Sequence, residues 1–464
     1  MGTSELHRDL VAIVGDAAIT LSPHHNPDDL HDESLHPVRA EPAAVVRPRT
    51  TAQVAALVEL AARRGLAITA RGSGTGLSGG STPVDGGLVV SFADMNQLVR
   101  LDTEDHVAVV QPGMTLRELD ELLAGTELCY PVYPGELSGS LGGNVNTNAG
   151  GMRAVRYGVT RHHVIGLELV LADATVVRTG GPVMKSSSGY DLTQLVIGSE
   201  GTLALVTEVT IRLSPALAHG ATVLVPFASL EEVTRVVPRV VASGLAPAML
   251  EYLDVLVMAS VTAAVGLELG VAPNVAAATA AYLVIQLETR TVGQLDADLA
   301  DLDELLSGAG ALDVYVLGPA IAARLIGARE RAFYVGKAAG ANDIVDIVVP
   351  RSQVPAFLDA AQRAAQRHGA LVSGCGHVGD GNVHLSIFQP DDVERAALLD
   401  ELYRDGLSRG GQISGEHGIG IDKQAPFLAL SDPAWLDLQR RVKRAFDPDN
   451  RLNPQRLLDD RVHA

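Results

Sequence analysis

Cysteine is nearly absent from this chain, with Cys129 and Cys375 the only two among 464 residues. So few thiols, so far apart, exclude a disulfide framework and a zinc ribbon and fit a reducing compartment. Aromatic residues make up 4% of the chain, and 36 Lys and Arg face 55 Asp and Glu, for a net charge of −19. With no basic run long enough to follow a phosphate backbone, no nucleic-acid partner is expected, and an anionic membrane surface is disfavoured. No stretch of about 20 apolar residues occurs, which argues against a spanning helix, and the first residues lack the basic and apolar regions of a secretion signal. Leu6 breaks the myristoylation pattern that Met1-Gly2 begins. The expectation is a cytoplasmic protein, at most peripheral to the inner membrane face.

What is present is glycine, at 47 positions, in a chain long enough for two or three domains. From about residue 38 to 215, short Val/Ile strands alternate with Gly-rich turns and a few helices. "RTTAQVAALVELAARRG" reads as an amphipathic helix stopped by Gly65, and "TLRELDELLAG" carries Thr115 and Glu118 at capping-box spacing. From 216 to 420, longer Ala-rich helices separate isolated strands, which predicts an antiparallel sheet with helices on one face. Residues 1–37 read as an N-terminal helical segment, and residues 421–464 as a C-terminal helix and turn. The fold class is α+β.

"ARGSGTGLSGGSTP" follows a strand and matches G-x-G-x-x-G, yet it is too rich in Gly and Pro to open the helix that a Rossmann site requires. A flexible loop and a cradle of backbone N–H groups for a pyrophosphate fit it equally. "YPGELSGSLGGNVNTNAGG" is a second loop of the same kind, where small residues let a flat ligand approach and amide side chains read the edge of a heterocycle. A third Gly-flanked site surrounds Glu200-Gly201-Thr202.

"SGCGHVGDGNVHLSIF" places His377 and His384 around Asp380-Gly381, a strong type I′ hairpin signal. Centred there, the turn sets His377 directly across from His384, close enough to share one metal ion. Exposed hairpin decoration is the competing reading. "ISGEHGIGIDK", some thirty residues on, supplies Glu416 beside His417, and a His₂-carboxylate set leaves coordination positions open for a substrate. Zinc and manganese both suit such a set.

The three glycine-rich stretches, in this order, resemble the FAD-binding domain of the vanillyl-alcohol oxidase and p-cresol methylhydroxylase superfamily. More narrowly, they resemble its D-lactate, glycolate and D-2-hydroxyglutarate dehydrogenase branch, from residue 38 to the C-terminus. The resemblance implies a two-part FAD-binding domain over 38–215, a substrate and metal-binding cap domain over 216–420 with its antiparallel sheet covered by helices, and a C-terminal segment over 421–464 that returns to the FAD domain. It implies that Arg71, Gly72, Ser73, Gly74, Thr75, Gly76 and Leu77 hold the FAD pyrophosphate. Pro134, Gly135, Gly142, Gly143, Asn144, Thr147, Asn148, Gly150, Glu200, Gly201 and Asn453 then line the rest of the cofactor. The pyrophosphate loop has no His, so the FAD is expected to be non-covalent. "GHVGDGNVHL" and "GEHGIG" resemble that branch's metal and catalytic signatures: His377, His384 and Glu416 as ligands of Zn²⁺ or Mn²⁺, His417 as general base, and Arg329 as the binder of the substrate carboxylate.

Relatives that act on D-2-hydroxyglutarate grip a second carboxylate with residues whose places here hold Phe333, Ile344 and Ser386, although Lys337 stands close enough in sequence to reach that pocket. The implied activity is oxidation of a D-2-hydroxy monocarboxylic acid such as D-lactate or glycolate. The alternatives are the flavin subunit of a glycolate oxidase and a D-2-hydroxyglutarate dehydrogenase. Nothing in the sequence ligates an iron–sulfur cluster, so electrons must leave to an external acceptor: a quinone, a cytochrome or an electron-transfer flavoprotein. A homodimer is compatible with the sequence.

Overall fold

The computed structural model describes residues 3 to 458. Three β-sheets carry the architecture, joined by a two-stranded ribbon of Leu128–Cys129 and Ser214–Pro215. The first sheet orders Ile19–Leu21, Ala44–Val46, Leu88–Ser91 and Ile68–Arg71, with Leu88–Ser91 parallel to both of its neighbours and Ile19–Leu21 antiparallel at the edge. Parallel strands need a crossover. Helix Thr51–Arg64 supplies it, capped by the Thr50 side chain and stopped at Gly65 in the left-handed conformation, as its sequence predicts. The helix buries Val54, Leu57, Val58 and Ala61 against this sheet. At roughly 1.5–3 kcal/mol for each large apolar side chain, that stripe outweighs the helix's modest intrinsic propensity.

The second sheet is antiparallel, in the order Leu98–Asp102, Val107–Val110, Leu205–Arg212, Val164–Val170 and Val176–Gly180. Helix Leu116–Leu123 packs on it behind the complete Thr115/Glu118 capping box. Residues 1–37 are more than a helical segment. After helix Thr3–Val14, the chain gives the first sheet its edge strand Ile19–Leu21, then runs on to meet the loop that follows Ile68–Arg71. At the other end, Asn453 N–H donates to the Ile68 carbonyl and Ile68 N–H to the Arg451 carbonyl, so residues 451–453 lie beside the same strand.

The third sheet is fully antiparallel, with seven strands in the order Tyr315–Leu317, His219–Phe227, Ala281–Thr289, Met249–Asp254, Leu371–Gly376, Asn382–Phe388 and Asp343–Val348. Helices cover both of its faces, not the single face expected. Val345, Ile347, Val383, Leu385 and Ile387 point to a core closed by helices Leu230–Ala242, Val292–Ser307, Val354–Arg367 and Asp392–Ser408. The intervening residues point the other way, as the period of two requires. There, helices Val255–Ala264 and Pro319–Glu330 cover only the part under Leu224, Leu253 and Val284. The remainder of that face, floored by Glu251, Ser373, Cys375, His384, Ser386, Ile344 and Asp346, carries the chemistry described next.

Candidate functional site

One open cavity of about 1,920 Å³, counting its mouth, runs between the first two sheets and the uncovered face of the third. Arg71 to Ser78, Pro134, Gly135, Gly142, Gly143, Asn144, Thr147, Glu200, Gly201 and Asn453 line one part; Arg329, His377, His384, Glu416 and His417 line the other. Asn148 and Gly150 do not line it. Asn148 takes the left-handed conformation that ends helix Leu141–Thr147, a short helix inside what reads as loop, and its side chain accepts from Arg161 N–H. Gly150 lies behind the site, where a Cβ would come within 2.9 Å of Glu416 Oε2.

Among the described residues, no hydrogen bond uses the backbone N–H groups of residues 73–78, a half-exposed loop that lines the cavity. With Asn144 Nδ2 buried beside it and without a hydrogen-bond partner among the described residues, the loop fits an anion cradle for a pyrophosphate. The Arg71 guanidinium is occupied differently. It donates to the carbonyls of Asp28 and His31, clamping the N-terminal segment beneath Gly74. The Glu200 carboxylate is likewise engaged, accepting from the N–H groups of Ile419 and Gly420 at 2.7 Å each. Gly420 has φ +55°, and a Cβ there would meet the Ser78 carbonyl at 1.9 Å, so only glycine lets this loop pass the cradle.

The histidines meet by a register other than the one a type I′ turn implies. Cys375, not His377, pairs with His384, and of Asp380 and Gly381 only the glycine has positive φ, which rules that turn out. The loop is longer, and His377 lies across from Asn382, to which its carbonyl is bonded. His384 is two residues past Asn382 and so shares its face, which still brings the two rings to 5.0 Å.

Glu416 Oε1 lies 3.1 Å from His377 Nε2 and 3.2 Å from His384 Nε2. Donors bound tetrahedrally to one cation at about 2.0–2.1 Å stand about 3.3 Å apart, so the three atoms fit a shared divalent ion. Burial opposes a charge on His377, but the Glu251 and Glu416 carboxylates outweigh it and raise its pKa well above the usual value. Glu416 is held well below the carboxylate range: burial pushes it up, and His377 and His384 pull it down further. The cluster therefore wants a positive charge at its centre.

His417 stacks on His384 at 5.0 Å and 10° between planes. Burial drives its pKa down to about 4 against the pull of Asp346, so it stands neutral near pH 7. The loop that carries it hangs from Asp346, which is fully buried. Asp346 Oδ2 accepts from the N–H groups of Gly415, Glu416 and His417, from Ser414 Oγ at 2.7 Å and from Lys423 Nζ at 3.3 Å. Arg329 NH2 lies 2.9 Å from Glu251 Oε2 without hydrogen-bond alignment, which leaves its Nε and NH2 donors unpaired among the described residues.

The FAD binding domain family matches residues 42–180, and the family of FAD linked oxidases, C-terminal domain, matches residues 217–457. The chain belongs to the FAD-linked oxidases. An uncharacterized FAD-linked oxidoreductase of Mycobacterium tuberculosis is 48% identical over 98% of this chain and all of that one. A D-lactate dehydrogenase of Anaerostipes hadrus is 34% identical over 93% of each chain, and a glycolate oxidase subunit of Bacillus subtilis is 33% identical over 90% of this chain and 89% of that one. The solved structure of p-cresol methylhydroxylase with substrate bound superposes with a TM-score of 0.80 at 18% identity, covering 99% of this chain and 98% of that one. The vanillyl-alcohol oxidase type of fold and an FAD-dependent oxidoreductase activity, both expected from the glycine loops, are thus established. No helix among the described residues is long and apolar enough to cross a membrane.

Sequence reading missed Glu251 and Asp346 in this oxidoreductase. Each is a carboxylate flanked on both sides by apolar residues within a buried strand, "MLEYLD" and "DIVDIV", and that misfit is the signal that could have found them.

Proposed function

We propose that this oxidoreductase converts a D-2-hydroxy monocarboxylic acid, D-lactate-like or glycolate, to the 2-oxo acid. It would use non-covalent FAD and a divalent cation, Zn²⁺ or Mn²⁺, held by His377, His384 and Glu416. When bound, FAD would supply the hydride acceptor and the cation a Lewis acid for the substrate hydroxyl. Arg329, which lines the cavity, receives the carboxylate through its guanidinium, whose planar fork lysine cannot copy. His417 accepts the hydroxyl proton at Nε2, since Nδ1 is buried toward Asp346 at 3.7 Å. The cap part, 216–420, supplies substrate and cation ligands; the part over 38–215 supplies the flavin cradle.

The observation that carries the proposal is the union, in one cavity, of the Arg329 guanidinium, a three-atom cation site and a neutral histidine. The monocarboxylate preference rests on the cavity wall. Ile344 lies opposite Ser386, two residues along the strand from His384, and both line the cavity with Phe333, while Lys337 is bonded to Glu33 at 3.0 Å. The external electron acceptor that this chemistry requires would be of the quinone, cytochrome or flavoprotein class.

Anaerobic mixing with D- and L-2-hydroxy acids tests this. Loss of oxidised-flavin absorbance is expected with a D monocarboxylate or glycolate and not with L isomers. Chelation should abolish the reduction and leave FAD bound. A protein that no hydroxy acid reduces, or a His417→Ala variant that reduces as fast as wild type, refutes the assignment.

A further inference from the structure

Glu251 has a side chain only 1% exposed, at the centre of the seven-stranded sheet, and each of its oxygens has a different partner. Oε1 is 2.6 Å from His377 Nδ1 and Oε2 is 2.9 Å from Arg329 NH2. The first contact fixes which nitrogen is left to a cation: Nδ1–H donates to the carboxylate, so Nε2, which faces Glu416 at 3.1 Å, is the atom that would ligate. The second sets the guanidinium, which comes from a helix packed on the sheet, against a strand of that sheet. Strand Met249–Asp254 is hydrogen-bonded on both sides, so this carboxylate sits on one of the least movable parts of the cap.

We propose that Glu251 is a positioning residue that holds His377 and Arg329 at one fixed separation, so that a single substrate meets the cation and the guanidinium together. This rests on the function proposed above. Neither partner alone requires a carboxylate here: a backbone carbonyl could orient His377, and a surface acid could neutralise Arg329. One buried carboxylate that serves both ties cation affinity to substrate affinity. Its replacement therefore disturbs two properties that a purely structural acid would leave alone.

The test uses FAD-loaded Glu251→Gln and Glu251→Asp. Gln can still accept from His377 but presents no anion to Arg329; Asp keeps the charge but is one methylene too short to reach both. Glu168→Gln is the matched control, since Glu168 is also a buried acid but binds Thr51, Thr207 and Arg178, all away from the cavity. Mn²⁺ affinity is measured by EPR titration without substrate, and KM and kcat by steady-state turnover with an artificial electron acceptor. Both Glu251 variants are expected to lose about 10–100-fold in Mn²⁺ affinity, the range for outer-shell partners of a ligating histidine. KM should rise at saturating Mn²⁺, and Glu168→Gln should change neither. FAD-loaded Glu251 variants with Mn²⁺ affinity and KM within twofold of wild type overturn the inference. So does failure of both Glu251 variants to take up FAD while Glu168→Gln takes it up, which assigns Glu251 to folding. A wild-type protein that binds no Mn²⁺ or Zn²⁺ defeats the function proposed above instead.

Discussion

Replacing Asp346 with Asn removes one negative charge and changes little in shape, so its effect isolates what that charge does. Burial alone would raise the Asp346 pKa, yet His417, Lys423 and His384 pull it below the carboxylate range, so the group is ionised in the fold. Lys423 is 4% exposed, and Asp346 and Ser414 are the partners its ammonium finds among the described residues. The Asn variant leaves that ammonium buried without a counter-charge, at a cost of about 3–5 kcal/mol. The three N–H bonds from Gly415, Glu416 and His417 weaken as well, since bonds to a charged acceptor are roughly twice as strong as neutral ones. Against a total stability of about 5–15 kcal/mol, this is a severe loss. Urea unfolding of the FAD-loaded protein at neutral pH measures it. A second change, Lys423→Met, made in the Asp346→Asn background, should recover most of the 3–5 kcal/mol while the displaced Glu416 and His417 keep flavin reduction slow. Asp346→Asn within about 1 kcal/mol of wild type, or a double variant no more stable than the single one, would show the reasoning to be wrong.

Two further outcomes follow from other parts of the structure. Ile344→Lys combined with Ser386→Asn places a cation and an amide on the apolar wall, and kcat/KM for a 2-hydroxy dicarboxylate should rise relative to that for D-lactate; an unchanged ratio refutes the assignment of that wall to the substrate tail. Burial raises the Asp422 pKa from 3.8 to about 6, against the bond from Ser34 Oγ. The stabilisation of its protonated form is complete below pH 4 and is lost as pH rises through about 6, some 2–3 kcal/mol at 1.36 kcal/mol per unit. Asp422→Asn should therefore flatten the fall in unfolding free energy between pH 4 and 6, and parallel wild-type and variant curves would contradict this.

The parts legible in the sequence were those written in local spacing. Caps at Thr50 and Thr115, the helix-poor glycine run after Arg71 and the Gly-flanked Glu416-His417 pair all depend on neighbours a few residues away. The parts that escaped depend on strand pairing across long stretches of chain. Centring the hairpin on Asp380-Gly381 gave the right pair of histidines through the wrong register, because every second residue of a strand shares a face and a slip of two preserves that face. Glu251 meets a histidine 126 positions away, and Asp346 anchors a loop some 70 positions on, so no window of sequence contains either contact. Arg71 was legible as part of a phosphate loop but not as the clamp on Asp28 and His31, since the segment it grips carries no motif.

That clamp and the Arg451–Asn453 stretch close on the same short strand from opposite ends of the chain. The cradle borders the first sheet's innermost loop, yet its walls are complete only after residue 453 has been made and has folded back across nearly four hundred residues. The cradle is thereby a joint product of both ends of the polypeptide, and a break in either the 28–31 segment or residues 451–453 leaves a wall missing.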